Sequence, residues 1–178
     1  MNLDDFENQV EVQKDRKSFK KHLVFLTGEK RYAFPLSKIK EVIRVINITP
    51  LPGVVSFYKG LVNIRGQIIS VIDLRTLLGI QGGNFDPKRN AIIITQVTDI
   101  TVGVIVDRVV EVKAYSDDQI NENVANSDFV GEGVYGVAKE SDAELTLLLS
   151  MEKAVERTDF LIADQQAQSQ YDVSQKRA

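Results

Sequence analysis

The stretch NIRGQIISVIDLR, residues 63 to 75, places an arginine and a glycine directly before a nearly continuous apolar segment. Arg65 and Gly66 join the apolar runs GLVNI (60–64) and QIISVIDL (67–74). A two-residue link that ends in glycine permits a tight turn, so this stretch predicts a β-hairpin with Arg65 at its corner.

The second strand of this hairpin carries apolar side chains on both faces. Ile69 and Val71 share one face, while Ile68, Ile72 and Leu74 share the other. A strand that exposed one face to water would alternate apolar and polar residues instead. The pattern therefore predicts a strand that is buried on both sides.

From His22 onward, short β-rich runs alternate with turn residues, as is typical of a barrel or a sandwich. A polar turn with glycines and a proline, residues 81–89, separates two approximate halves, 22–80 and 90–150. The other predicted strands are HLVFLT (22–27), RYAF (31–34), AIIITQV (91–97), TVGVIVD (101–107), RVVEVKAY (108–115), GVYGVAK (133–139) and ELTLLLS (144–150).

Two helices and two termini complete the predicted organisation. Asp73 favours a short capped helix, and Ser150 can cap a closing helix over 151–162. The acidic-then-basic segment 1–21 is predicted to be a flexible arm. The polar, glutamine-rich segment 163–178 is predicted to be a disordered tail.

Composition narrows the class of protein. The 178 residues carry a net charge of −3, with 43% hydrophobic and 26% charged residues, as expected for a globular domain. The apolar runs are shorter than the roughly 20 residues of a membrane span, so no membrane insertion is expected. The acidic N-terminus lacks a secretory signal, which predicts a cytoplasmic location. The charge is too slight to indicate nucleic acid as a partner.

Residue types that usually carry catalysis or hold metals are scarce. His22 is the only histidine and there is no cysteine, which argues against a zinc site, thiolate chemistry and a nucleophilic triad. We interpret His22 as a structural residue at a strand end. The sequence predicts no catalytic residue, no metal site and no cofactor.

Two motifs match ligand-binding loops only in part. GEGVYG (131–136) has the spacing of a dinucleotide fingerprint, but a strand rather than a helix is predicted after it. DDQINENVANSD (117–128) lacks the sixth-position glycine of a calcium loop. Five carboxylates could in principle serve as a catalytic acid and base, but all of them lie at predicted turns or strand ends, where Asp and Glu commonly form local hydrogen bonds. They are Asp99, Asp107, Glu140, Asp142 and Glu144.

The hairpin segment GLVNIRGQIISVIDLRTLLG resembles the signature stretch of CheW, the adaptor family of bacterial chemosensory arrays. Further similar segments lie before and after it in family order, so that the resemblance covers roughly residues 20 to 160. These segments are YAFPLSKIKEVIR (32–44), TPLPGVVSFYKG (49–60), VGVIVDRVVEV (102–112) and LTLLLSMEKAV (145–155).

The resemblance implies a mainly β fold over residues 22–162: two packed, interleaved SH3-like five-stranded barrels with short helices and a C-terminal helix. It also implies a non-enzymatic scaffold that joins chemoreceptor tips to the regulatory domain of the histidine kinase CheA. Association with other CheW-like modules in rings stays open.

Carried over by position, the resemblance predicts two contact sites. The receptor-facing residues are Ile39, Glu41, Gly60, Asn63, Arg65 and Gly66. The kinase-facing residues, on what the resemblance presents as a hairpin, are Gly103, Asp107 and Val109. The sequence departs from the family at Ser70, where proline is frequent, and at Pro35.

Several alternatives remain open at this point. The same adaptor could serve a pathway for pili, gliding or development. GEGVYG could belong to a nucleotide-binding enzyme, and the KDRKSFKK arm (14–21) could bind nucleic acid with steep salt dependence. The first partner of Arg65 could be Glu41 or a receptor carboxylate.

Overall fold

A computed structural model describes residues 18–82, 85–123, 133–141, 144–156 and 160–175. The strands in these ranges are β1 (Phe19–Thr27), β2 (Lys30–Pro35), β3 (Ile39–Arg44), β4 (Tyr58–Ile64), β5 (Gln67–Asp73), β6 (Ala91–Val97), β7 (Ile100–Val106), β8 (Arg108–Ser116), β9 (Ile120–Asn121), β10 (Val134–Lys139) and β11 (Leu145–Leu149). The α-helices are α1 (Leu74–Leu77), α2 (Met151–Glu156) and α3 (Phe160–Gln175). The predicted mainly β fold is confirmed.

The strands form two mixed sheets. A six-stranded sheet has the order β8-β1-β2-β11-β10-β9, and a five-stranded sheet has the order β3-β6-β7-β5-β4. The sheets therefore hold six and five strands rather than five each. Strands β1 and β2 come from the first half of the sequence but lie beside β8 and β11 from the second half.

The five-stranded sheet curls around a small apolar core of its own. Its inner cluster is built from β4, β5, β6 and β7, and β3 packs against it through Ile43. A bridge between Thr49 and Leu61 ties the chain that follows β3 to β4, with backbone hydrogen bonds of 2.8 and 2.9 Å. One face of every strand thus meets a shared interior, as in a small barrel. The inner cluster comprises Val62, Ile69, Val71, Ile92, Ile94 and Ile105.

A larger core joins the two sheets to helix α3. Phe25 and Phe34 enter it from the six-stranded sheet, Ile72 and Val104 from the five-stranded sheet, and Phe160 from α3. Each such side chain contributes about 1.5–3 kcal/mol when fully buried.

Strand β5 takes part in both apolar clusters. Ile69 and Val71 belong to the inner cluster, while Ile72 belongs to the larger core and Ile68 packs against it. The predicted burial of this strand on both faces is confirmed.

The chain crosses from one sheet to the other at Asp107. Strand β7 pairs with β5 and β6, whereas β8 pairs with β1. The predicted hairpin around Gly103, Asp107 and Val109 is therefore wrong. A single residue between two strands is too short for a hairpin loop, and the hydrogen bond of 3.0 Å from the Asp107 amide to the Leu26 carbonyl directs the chain toward β1 instead.

Both termini of the domain extend beyond their predicted limits. Strand β1 begins at Phe19, inside the predicted arm, and residues 1–17 lie outside the described residues. Helix α3 replaces the disorder predicted from residue 163, because Ala163 and Ala167 are buried and allow the helix to approach the sheet closely. Alanine contributes little to a hydrophobic pattern, so the composition of this segment did not predict a packed helix. Residues 176–178 lie outside the described residues.

None of the helices in the described part of the chain is long and apolar enough to cross a membrane.

Candidate functional site

The β4–β5 hairpin ends in a rigid two-residue corner. Strand pairing closes at Ile64 opposite Gln67, and Arg65 and Gly66 have φ angles of 52° and 86°. Two consecutive residues with positive φ are the mark of a type I′ turn. The Asn63 side chain accepts a hydrogen bond of 2.9 Å from the Gly66 amide, which holds the turn. The predicted hairpin is confirmed, and its corner presents Arg65 outward.

Arg65 meets Glu41 across the sheet. A guanidinium nitrogen lies 3.3 Å from Glu41 Oε2, with 82% of the Arg65 side chain and 31% of the Glu41 side chain exposed. An ion pair in water contributes about 0–1 kcal/mol. The pair therefore orients the arginine and leaves most of its guanidinium group accessible to a second carboxylate.

Gly60 serves the shape of the five-stranded sheet. Its φ is 139°, and a Cβ atom would lie 2.1 Å from the Thr49 carbonyl oxygen. Only glycine allows the Thr49–Leu61 bridge to form at this distance. Gly60 thus lies away from the corner, near the beginning of β4.

The other predicted receptor-facing residues divide into two groups. Asn63 and Gly66 lie beside Arg65 at the corner, and Glu41 reaches it from β3. Ile39 instead packs, half-buried, against the larger core. The structure thus gathers Glu41, Asn63, Arg65 and Gly66, which we name the Arg65 corner.

The three predicted kinase-facing residues do not form one surface. Gly103 is interior, because a Cβ atom there would lie 2.9 Å from Ile92 Cγ2. Val109 packs against the larger core. On the same strand, Val110 and Val112 are exposed, at 39% and 53%. Sequence reasoning missed these two valines, because the alternation of Val110 and Val112 with Glu111 and Lys113 in β8 predicts that the valines face the core.

The half-buried side chain of Asp107 binds groups of the protein itself. It accepts hydrogen bonds of 2.8 Å from the Gly28 amide and from Arg75 Nε, and Arg75 Nη2 completes a bidentate contact. The hydrogen bond to Asp107 raises the pKa of Arg75. Because Gly28 lies in the β1–β2 turn and Arg75 in α1, Asp107 ties the six-stranded sheet to the five-stranded one.

A second ionic site surrounds Glu140, whose side chain is 4% exposed and so more deeply buried than that of Asp107. Tyr115 and Thr146 donate hydrogen bonds of 2.5 and 2.8 Å to Glu140 Oε1, and Lys113 contacts Oε2. Burial alone would raise the pKa of Glu140, but these donors and the nearby Arg31 charge lower it to about 2. The site is saturated by internal partners, so it stabilises the six-stranded sheet.

His22 has the structural role that its position indicated. It lies buried in β1, where its Nδ1 donates to the Lys20 carbonyl at 2.9 Å and its Nε2 lies 2.9 Å from the Tyr135 hydroxyl. Burial lowers the pKa of His22, which favours the neutral ring. Within the described ranges, no group of three or more His, Cys, Asp or Glu side chains is placed to hold a metal ion.

The two partial motifs do not build ligand sites in the described residues. Gly136 lies inside β10, so a strand follows the glycines where a dinucleotide site requires a helix. Residues 131 and 132 of that motif lie outside the described residues, as do residues 124–128 of the calcium-like loop and Asp142.

The fold and the site define a mainly β, two-sheet module whose outward feature is a charged corner on a rigid hairpin. The sequence model of the CheW-like domain matches residues 21–159. The chain belongs to the CheW-like family and is a scaffold protein of the chemotaxis type.

Individual relatives agree with this family assignment. Chemotaxis protein CheW of Thermotoga maritima is 37% identical over 136 residues, covering 75% of this chain and 86% of the relative. Chemotaxis protein CheW of Helicobacter pylori is 26% identical over 151 residues, covering 80% and 89%. The crystal structure of the scaffolding protein TtCheW from Thermoanaerobacter tengcongensis superposes with a TM-score of 0.71 at 30% identity, covering 78% of this chain and 94% of that one.

Proposed function

We propose that this protein couples chemoreceptor tips to the regulatory domain of the histidine kinase CheA through two separate contact surfaces, and that it does so without catalysis. The observation that carries the proposal is the Arg65 corner: an arginine that is 82% exposed and whose backbone lies in a hydrogen-bonded two-residue turn. A guanidinium held in this way can form charge-assisted, bidentate bonds to a partner carboxylate.

The receptor contact is assigned to the Arg65 corner because its backbone is fixed before a partner arrives. The Asn63–Gly66 hydrogen bond and the Glu41 ion pair limit the positions that the arginine can adopt. A backbone already ordered in the free protein loses less entropy on binding. Gly60 and Ile39 support this surface from within the fold.

The kinase contact is assigned to the exposed side of β8 near Val109. Strand β8 is an edge of the six-stranded sheet, and it exposes Val110 and Val112. Apolar side chains on an edge strand favour a protein partner. In this proposal Asp107 and Gly103 act indirectly, since they set the position of β8 and the packing behind it.

A reconstitution tests the proposal. Receptor cytoplasmic fragments and CheA from the same cell are combined with and without this protein, and kinase autophosphorylation is measured. We expect kinase stimulation only when all three components are present. Equal kinase activity with and without the protein contradicts the proposed coupling. A parallel pull-down from cell lysate identifies which receptors and which kinase are retained, and so distinguishes a swimming pathway from one for pili, gliding or development.

A further inference from the structure

Strand β8 is an open edge of the six-stranded sheet. Among the described strands it pairs with β1 alone, so the backbone groups along its other side have no strand partner in that part of the chain. Val110 and Val112 are exposed on β8, and Phe19 at the start of β1 is 60% exposed. An exposed edge that carries apolar side chains is a template for an added strand.

The chain enters this sheet beside the open edge. Phe19, the first residue of β1, pairs with Ser116, the last residue of β8. The open side of β8 is two strand spacings from β1, or about 10 Å, and about three extended residues cross that distance. Residues 1–17, which precede the described part of the chain, are therefore attached within reach of the edge.

The segment before β1 has the sequence pattern of a strand. In QVEVQ (9–13), Val10 and Val12 alternate with glutamine and glutamate. Branched apolar residues at alternate positions favour a strand with one apolar side. A segment that runs toward the start of β1 has the same direction as β8, because β1 and β8 are antiparallel. It would therefore add to β8 as a parallel strand.

The register of such a strand follows from its attachment point. If residues 15–17 make the crossing of about three residues, residue 14 is level with Ser116. Val10 and Val12 then lie beside Val112 and Ala114, both of which are exposed. The apolar side of the segment thus meets the apolar side chains of the edge.

The charges of the two elements are complementary in this direction. Residues 1–11 carry four acids and no base, whereas residues 14–17 carry three bases and one acid. Strand β8 begins at Arg108, and Asp117 follows its end. The parallel register places Glu7 near Arg108 and the basic residues near Asp117, so opposite charges are neighbours at both ends of the edge.

A cleft at the beginning of β8 can take the acidic end of the segment. Its volume is about 660 Å³, and three arginines and two aspartates line it: Arg75, Arg89, Arg108, Asp86 and Asp107. Arg75 pairs with Asp107, which leaves two arginines against one aspartate. Within the described ranges neither Arg89 nor Arg108 forms an ion pair. The excess positive charge favours a carboxylate from outside the described domain.

We propose that residues 4–14 of this chain add to the open edge of β8 as a parallel strand, with Val10 and Val12 on the exposed apolar side chains and the acidic end at the cleft of Arg89 and Arg108. Because the segment is tethered to β1, its effective concentration at the edge is in the millimolar range. Tethering therefore favours this segment over a second copy of the chain.

The docked segment also regulates the kinase contact, and this consequence rests on the proposed function. Val110 and Val112 belong to the surface assigned to the kinase, so the kinase binds there only after the segment leaves. When only the released form binds, the apparent affinity falls with the fraction that is released. Any change that releases the segment should therefore strengthen kinase binding.

The test uses the full chain with Val10→Ser and Val12→Ser combined. The matched control combines Gln9→Ser and Gln13→Ser, which lie on the alternate side of the same segment. All four positions precede β1, so no contact of the described domain is removed. Hydrogen exchange is followed by mass spectrometry. We expect β8 to exchange at least about tenfold faster in the valine variant, with β6 and β7 unchanged and with the control equal to wild type.

Two results of this experiment would overturn the docking. Equal exchange of β8 in wild type and both variants would show that the segment does not cover the edge, and equal acceleration in both variants would show that the valines are not the contact. Protection of β8 that is lost on about hundredfold dilution would assign the edge to a second copy instead.

A charge exchange tests the direction of the added strand. Arg108→Glu should accelerate exchange in β8, and Glu7→Arg in the same chain should restore most of the protection. Arg44→Glu is the control, since Arg44 is an exposed arginine at the end of β3, and it should leave β8 unchanged. Absence of any restoration would overturn the parallel register.

Affinity for the isolated regulatory domain of CheA is then measured for the same proteins. The valine variant should bind about threefold to tenfold more tightly than wild type and the glutamine control. Faster exchange in β8 with unchanged or weaker kinase binding refutes the competition alone. Failure of wild type and all variants to bind refutes the proposed kinase contact, while the exchange of β8 still decides whether the segment docks.

Discussion

The Arg65 guanidinium lies 3.3 Å from the Glu41 carboxylate and so connects the β4–β5 corner to β3, the opposite edge strand of the five-stranded sheet. The arginine is the more exposed partner, and its backbone is held in a left-handed conformation. The contact therefore orients a charge at the surface and leaves most of it in water. Such a pair is suited to recognition and adds little to stability.

Removal of Glu41 should leave the fold intact. We expect Glu41→Ala to change the free energy of unfolding by less than about 1 kcal/mol, because the ion pair is exposed. Urea denaturation of the variant and wild type measures this difference. A loss above about 2 kcal/mol would indicate that the pair has a structural role.

Gly60 should be intolerant of a side chain. Gly60→Ala places a Cβ atom 2.1 Å from the Thr49 carbonyl oxygen at a φ of 139°, and we expect a loss of at least about 3 kcal/mol. Gly53→Ala is the control, since Gly53 also has a positive φ but no atom within 4 Å of the added Cβ. It should lose about 1 kcal/mol. Equal losses in thermal or urea unfolding would refute the close approach at Thr49.

Asp107 should stabilise the junction of the two sheets. Asp107→Asn keeps the shape but weakens the bidentate contact with Arg75, and we expect a loss of about 2 kcal/mol. Asp99→Asn, at an exposed turn, should stay within about 0.5 kcal/mol of wild type. Guanidinium denaturation of both variants provides the comparison, and matching stabilities would contradict the junction role.

Acid should lower the stability of the folded protein, partly because Glu140 becomes protonated. The pKa of Glu140 is lowered from its usual 4.5 to about 2 in the folded state, so the unfolded state binds the proton more readily. The stabilisation is present above pH 4.5 and is lost as the pH falls from there toward 2. Glu140→Gln should flatten the stability profile in this window, whereas the exposed Glu29→Gln should parallel wild type. Parallel profiles for Glu140→Gln and wild type would show that Glu140 does not contribute.

Local patterning predicted the parts of the fold that depend on neighbouring residues. The Arg65-Gly66 turn, the doubly buried β5 and the Asp73 cap, which accepts a hydrogen bond of 3.0 Å from the Arg75 amide, all follow from short-range rules. The resemblance predicted the family, which the match over 21–159 confirms.

Features that depend on distant partners could not be predicted in this way. The crossing at Asp107 depends on Gly28 and Arg75, and the docking of α3 depends on Ser70 meeting Asp164 across 94 residues of chain. Sequence patterning does not show that these groups are neighbours. The same limit applied to Gly103 and Gly60, whose roles are set by the atoms packed against them.

The most direct measurement of the proposed receptor contact is the affinity of a receptor cytoplasmic fragment for Arg65→Ala. The matched control is Arg89→Ala, an exposed arginine in the turn before β6. We expect Arg65→Ala to weaken binding at least tenfold, or about 1.4 kcal/mol, with Arg65→Lys intermediate because it keeps charge but loses the planar fork. Arg89→Ala should bind like wild type. Equal affinities for wild type, Arg65→Ala and Arg89→Ala would contradict a receptor contact at the Arg65 corner.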